Sequence, residues 1–156
     1  MTASSGDNIY RYTTALNAAT SAYEFRFTRD GQVYAMSVDA PPTFELVTPI
    51  PGEVFSVSDD LSLSWSPLWP DRSLNLRAIP DDPSCLQPVN FDLDDTGVAV
   101  LPAGTRTWSA DTSQAAECPV TLELLRVQEG AYPAGLAAGG WVQARVVEQV
   151  VAIATP

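Results

Sequence analysis

The chain has 156 residues, with 19 acidic side chains, eight arginines, no lysine and no histidine, a net charge of −11 and an isoelectric point near 4.1. Its composition excludes histidine acid–base catalysis, lysine Schiff bases, serine triads, the lysine of phosphate-binding loops and the usual zinc sites. The negative field repels nucleic-acid backbones and anionic lipids, and no apolar run reaches the roughly 20 residues of a membrane-spanning helix.

Residues 1–8 are small and polar and read as a flexible tether, with neither the basic nor the apolar stretch of a signal peptide. Two origins fit them. The chain is a whole cytoplasmic protein, or it is a mature or excised piece in which Met1 replaces the lipidated cysteine of a bacterial lipoprotein. Tyr10, Tyr12, Thr14 and Leu16 then alternate as in a strand. Ala15 to Ala22 suits a loop better than a helix.

Tyr23, Phe25 and Phe27 alternate with Glu24, Arg26 and Thr28 ahead of Asp30-Gly31, a favoured pair for a type I′ hairpin turn. A two-residue loop there pairs Phe27 with Tyr34, Phe25 with Met36 and Tyr23 with Val38. All three pairs fall on one face, and a slip of one residue would set aromatics against polar partners. Such a stripe reads as core, with a sugar-binding platform as the alternative.

Pro41-Pro42 breaks the chain. Short strands are expected at Phe44 to Val47, Val54-Phe55, Leu61 to Trp65, Leu74 to Ala78, Phe91 to Leu93 and Val98 to Leu101. A Pro/Asp-rich loop fills residues 79–90. Val120, Leu122 and Leu124 alternate with Thr121 and Glu123. Gly130 to Gly140 reads as a flexible loop with no phosphate role. Trp141 to Ile153 reads as one long valine-rich strand, with Glu148 marking a bulge or an exposed end. Nine to eleven strands with closely spaced turns and no tandem repeat predict one all-β domain, an antiparallel β-sandwich or a barrel. Within it, residues 9–40 form an added strand and hairpin, and residues 41–156 form the core.

Cys85 and Cys118 lie beside prolines in turn-rich surroundings. They are expected to form a disulfide, which places the chain in an oxidising, extracytoplasmic compartment such as the periplasm or cell surface.

Pro41-Pro42, Pro49, Gly52 and Leu61-Ser-Leu63-Ser-Trp65-Ser-Pro67 resemble the opening of fibronectin type III or immunoglobulin-like domains of bacterial extracellular proteins. The resemblance covers residues 41–156. It implies a sandwich in which Trp65 occupies the core between two sheets. Leu74 and Leu76 stand where such domains carry a tyrosine.

Asp92-Leu-Asp94-Asp-Thr96-Gly97 matches the first half of a calcium loop, with Asp92, Asp94 and Thr96 as the oxygen donors. Ala103 replaces the closing glutamate, so an acidic β-turn competes with calcium, the one cofactor the sequence suggests. Asp59-Asp60 and Asp81-Asp82 read as solvated turns. Trp69 and Trp108 are the aromatic candidates for a surface that binds a protein or carbohydrate partner, or else cap the sandwich. The expected function is a non-enzymatic extracytoplasmic binding or structural module, in its most concrete form an envelope lipoprotein. The alternatives are a filament subunit that self-associates through edge strands Tyr10 to Leu16 or Val142 to Ile153, and a polysaccharide hydrolase using paired carboxylates.

Overall fold

The computed structural model describes residues 2–6, 9–13, 21–105, 107, 117–133 and 141–156, with side chains from residue 21 onward except that of Arg29. Among them every regular element is a strand. A hairpin opens the chain, with β1 (Thr2–Gly6) antiparallel to β2 (Ile9–Thr13). Residues 2–6 are therefore a strand and not a tether. Their small side chains show no alternation, so nothing in the sequence announces a pairing made backbone to backbone. Thr14 and Leu16 lie outside the described residues.

β3 (Ala22–Arg29) and β4 (Gln32–Asp39) form the second hairpin. Its register is the expected one, with Phe27 opposite Tyr34, Phe25 opposite Met36 and Tyr23 opposite Val38. Asp30 and Gly31 both take left-handed conformations, with φ of 52° and 76°, as a type I′ turn requires. The base is closed by the Ala40 amide donating to the Ser21 carbonyl at 2.9 Å. Burial falls along the stripe, from Val38 at 3% exposed to Phe27 at 37%. Only the base of the hairpin is core; the rest of the stripe is half-open.

The remaining eight strands form two sheets. β5 (Glu45–Thr48), β7 (Leu61–Ser66) and β10 (Val98–Leu101) make one, in the order β10-β7-β5. The other contains β6 (Val54–Ser56), β8 (Ser73–Pro80), β9 (Val89–Asp94), β11 (Cys118–Glu129) and β12 (Gln143–Thr155), in the order β6-β12-β11-β8-β9. All pairings are antiparallel except β6 with β12. One sheet of the molecule curls into a half-barrel. The β11–β12 register runs unbroken through Glu148, which faces Leu124, so no bulge forms there.

Alternation dictates which side of each strand is buried. Leu61, Leu63 and Trp65 of β7 meet Leu74, Leu76 and Ala78 of β8, Val120, Leu122 and Leu124 of β11, and Val150, Ala152 and Ala154 of β12 in one apolar cluster. Each fully buried leucine contributes about 1.5–3 kcal/mol relative to an exposed one. Cys85 and Cys118 are both buried and form a disulfide with Cα atoms 6.1 Å apart.

Two outcomes follow from this packing. Replacing both Cys85 and Cys118 by alanine removes a cross-link between residues 33 apart, which lowers the unfolding free energy by about 4 kcal/mol on the chain-entropy account. Urea denaturation with and without reductant measures this, and reductant should have no further effect on the double variant. Gly130 lies where β11 meets the hairpin base, and its amide neighbour Ala131 bonds the Ser37 carbonyl at 2.8 Å. A Cβ at Gly130 would collide with that carbonyl and with the Val38 and Val142 side chains. Gly130→Ala should cost about 1–3 kcal/mol and remove hydrogen-exchange protection at Ser37 and Val38 before it touches the β7–β8–β11 core.

Candidate functional site

The inward row of β11 runs Val120, Leu122, Leu124 and then Arg126, a fully buried cation at the end of an apolar series. Its partner is Asp95, 2% exposed, in the turn between β9 and β10. Arg126 Nε donates to Asp95 Oδ2 at 2.7 Å, and Nη2 donates to Oδ1 at 3.0 Å. Nη2 also donates to the Pro67 carbonyl at 2.5 Å, and Nη1 to the carbonyls of Pro42 and Thr43 at 3.1 and 3.4 Å. A guanidinium has five N–H donors, and each meets an acceptor here. The Phe44 ring closes one face of the group, 4.4 Å from the guanidinium carbon.

The carboxylate is equally occupied. Asp95 Oδ1 also accepts the Trp65 indole N–H at 2.7 Å, and the Trp69 backbone N–H adds a further bond. Burial is the largest single influence on the Asp95 carboxyl and pushes its pKa up. The bonds from Arg126, Trp65 and the Trp69 amide, with the charge of Arg126, together outweigh burial and hold the group below its ordinary value. The main chain is tied at the same place, with the Asp95 amide bonded to the Arg72 carbonyl at 2.8 Å and the Trp65 amide to the Gly97 carbonyl at 2.9 Å. One ion pair thus fixes the chain at Pro42-Thr43, at Pro67 to Arg72 and at Asp94 to Gly97.

Over this hub lies an open recess of about 780 Å³, lined by Leu68, Pro70, Asp71, Arg72, Ser73 and Asp94 to Thr96. Trp69 is half-buried beside it, and the exposed Arg72 guanidinium lies over the indole, 5.2 Å from the ring centroid. Leu68 is half-exposed. Trp69 is therefore held on both sides, by its own amide below and by Arg72 above. Trp108 lies outside the described residues. Trp65 is buried in the apolar cluster, as expected, and its indole N–H is spent on Asp95.

The residues of the calcium motif point in different directions. Asp92 and Asp94 share the exposed face of β9, and Asp92 Oδ1 accepts a bond from Asn75 Nδ2 at 3.0 Å. The Thr96 hydroxyl donates to the Val98 carbonyl at 3.0 Å, and Asp95 turns inward to Arg126. Among the described residues no three acidic or cysteine side chains gather in a way that could hold a metal ion. The other acidic pairs serve turns. Asp60 accepts the Ala103 amide at 2.8 Å. Asp82 accepts the Ser84 hydroxyl and amide at 2.7 and 2.8 Å, and these bonds, the hydroxyl first, lower its pKa.

No protein-family model, curated protein or solved structure matches the chain.

The hub makes two predictions. Asp95→Asn leaves Arg126 buried without its counter-charge, and equilibrium unfolding near neutral pH should show a loss of about 3–5 kcal/mol. The same comparison has a pH dependence. The folded carboxyl titrates below the unfolded value of about 3.9, so its contribution is complete above that value and is lost as pH falls through the lower folded value. The stability gap between wild type and Asp95→Asn should therefore be constant at mildly acidic pH and close only below about pH 4.

Proposed function

We propose that the chain is a non-enzymatic, extracytoplasmic β-sandwich module, with residues 41–156 of the immunoglobulin or fibronectin type III kind, that binds a partner through the loop end built on Asp95 and Arg126. The observation that carries this reading is the use of the buried charges. Asp95 and Arg126 saturate each other and the loop carbonyls around them, which leaves no reactive group at the hub. What they hold in place is a presentable surface of Leu68, Trp69 and Arg72 around an open recess. A tryptophan under an arginine, flanked by an exposed leucine, is the chemistry of interface anchors.

Other observations support the fold and the compartment. The strand orders β10-β7-β5 and β9-β8-β11-β12, with β6 added parallel to β12, support a Greek-key sandwich, as does the burial of Trp65 of β7 in the apolar cluster. The disulfide fits an oxidising compartment. No helix among the described residues is long and apolar enough to cross a membrane. An envelope lipoprotein is the most specific form of this proposal.

The test combines two measurements. Thiol alkylation of the protein taken directly from its native host should find Cys85 and Cys118 oxidised; two free thiols there would refute the compartment. Titration with soluble cell-wall glycan fragments or with an extract of envelope proteins, read by NMR, should give shifts confined to Leu68, Trp69 and Arg72. Trp69→Ala should abolish those shifts with a change in melting of only a few degrees. Appearance of cleaved glycan would instead establish a hydrolase.

A further inference from the structure

β9 is the last strand on one side of the five-stranded sheet. Its register with β8 shows which backbone groups point outward. Ser73 lies opposite Asp94, and the next pair, Arg72 and Asp95, is hydrogen-bonded, with the Asp95 amide on the Arg72 carbonyl at 2.8 Å. Bonded and non-bonded pairs alternate along an antiparallel ladder. Leu93, Phe91 and Val89 therefore turn their N–H and C=O groups toward β8, while Asp94, Asp92 and Asn90 turn theirs away from it. The Asp94 carbonyl accepts the Thr96 amide at 2.8 Å. Among the described residues no strand pairs with this edge, and the outward main-chain groups of Asn90 and Asp92 meet no partner.

The two rows of side chains differ. Val89, Phe91 and Leu93 pack against the apolar cluster and stay half-buried, because β9 has a neighbouring strand on one side only. Asp92 and Asp94 are exposed on the other face. Asn75 donates to Asp92 Oδ1 at 3.0 Å, and among the described residues no cation pairs with either carboxylate.

We infer that the outer edge of β9 accepts an extended segment of a basic partner protein as a sixth strand, antiparallel, in which lysine or arginine alternates with apolar residues.

The register sets the pattern. Residues directly opposite each other share a face. Those opposite Asp92 and Asp94 lie on the outer face, where a cation compensates each carboxylate. Those opposite Phe91 and Leu93 lie on the inner face, where an apolar side chain covers the half-open flank of the core. Opposite Asn90 a neutral residue fits, since Arg77 already stands across from Asn90 on β8. Main-chain bonds supply affinity and the alternating side chains supply specificity. A second copy of this chain does not fit. Two β9 edges would crowd the aspartates of both copies onto one face, in molecules of net charge −11. The charged edge thus opposes self-association and selects a basic strand.

NMR titration of the full chain with a blocked Lys-Val-Lys-Val-Thr peptide at low salt tests this, the five residues facing Asp94 to Asn90 in that order. Shifts should concentrate at Asn90 to Asp94, with amide exchange slowed at Asn90, Asp92 and Asp94 and unchanged at Phe91 and Leu93, which already bond to β8. N-methylation of the two lysine main-chain nitrogens removes the donors aimed at β9 and should weaken binding about tenfold or more. N-methylation of the two valines, whose N–H groups point away, should cost much less. Asp92→Lys should weaken binding about fivefold or more. The inference is overturned if millimolar peptide causes no shifts, if shifts scatter over the acidic surface, or if a Lys-Lys-Thr-Val-Val peptide binds as well. Equal loss on methylating lysine or valine would also overturn it. The peptide comparisons use the unaltered protein, so they decide the matter even where Asp92→Lys fails to fold. Shifts confined to Leu68, Trp69 and Arg72 would overturn it and leave the loop-end reading standing.

Discussion

The buried pair of Asp95 and Arg126 is the constraint around which one end of the molecule is arranged. Taking two such charges out of water costs several kcal/mol per ion, and their attraction repays this only when every remaining donor and acceptor is met. Here all five guanidinium N–H groups are met, three of them by backbone carbonyls. The identity of those carbonyls explains why an apolar residue would not serve. Pro42 and Pro67 interrupt the strand ladders, since proline has no N–H to donate, and their carbonyls turn inward where no sheet partner is available. A leucine at position 126 would fill the space and leave those oxygens without donors. The cation is thus a solution to the prolines, and the carboxylate a solution to the cation.

The same strand carries the molecule's other cross-link. Cys118, Val120, Leu122, Leu124 and Arg126 occupy one inward row of β11. It begins at the disulfide, passes through the apolar core and ends at the ion pair, a span of about 26 Å at strand rise. β11 is central to its sheet, with β8 on one side and β12 on the other. Slippage of β11 by one residue would expose its leucines, pull Cys118 from Cys85 and take Arg126 from Asp95 together. Three kinds of interaction therefore specify one register, which explains how a chain with many short strands avoids alternative pairings.

Local features were legible in the sequence. The Asp30-Gly31 hairpin could be counted to its last pair because its register depends on neighbours in the chain, and the alternation of β7, β8 and β11 marked their buried faces. Cys85 and Cys118 were legible because only one pairing exists for two cysteines. Asp95 was not, for it stands in Asp92 to Gly97, whose spacing imitates a calcium loop, and its partner is 31 residues away. One signal was available. Arg126 has the parity of Leu122 and Leu124, and a cation in an apolar row demands a buried counter-charge. The stripe of Tyr23, Phe25 and Phe27 shows a related limit. Alternation identifies which side chains share a face, and says nothing about what that face meets. Core was the expected answer, and the structure leaves most of the stripe half-open.

These two surfaces differ in how they are held, and the difference bears on their use. The Trp69 loop is anchored at its own amide, at Pro67 and at Arg72, all to one buried pair. Such anchoring lowers the entropy a binding event must still remove, so affinity there depends on contacts already arranged. The β3–β4 hairpin has the bridge at Ala131 and the packing of Val38 at its base, and the rest of its aromatic stripe is half-buried or exposed. Both surfaces nevertheless take their position from β11, since Arg126 fixes the loops and Gly130, directly after the strand's end, receives the hairpin. Their spacing is set by one continuous strand, β11, whose inward row also carries the disulfide and the apolar core.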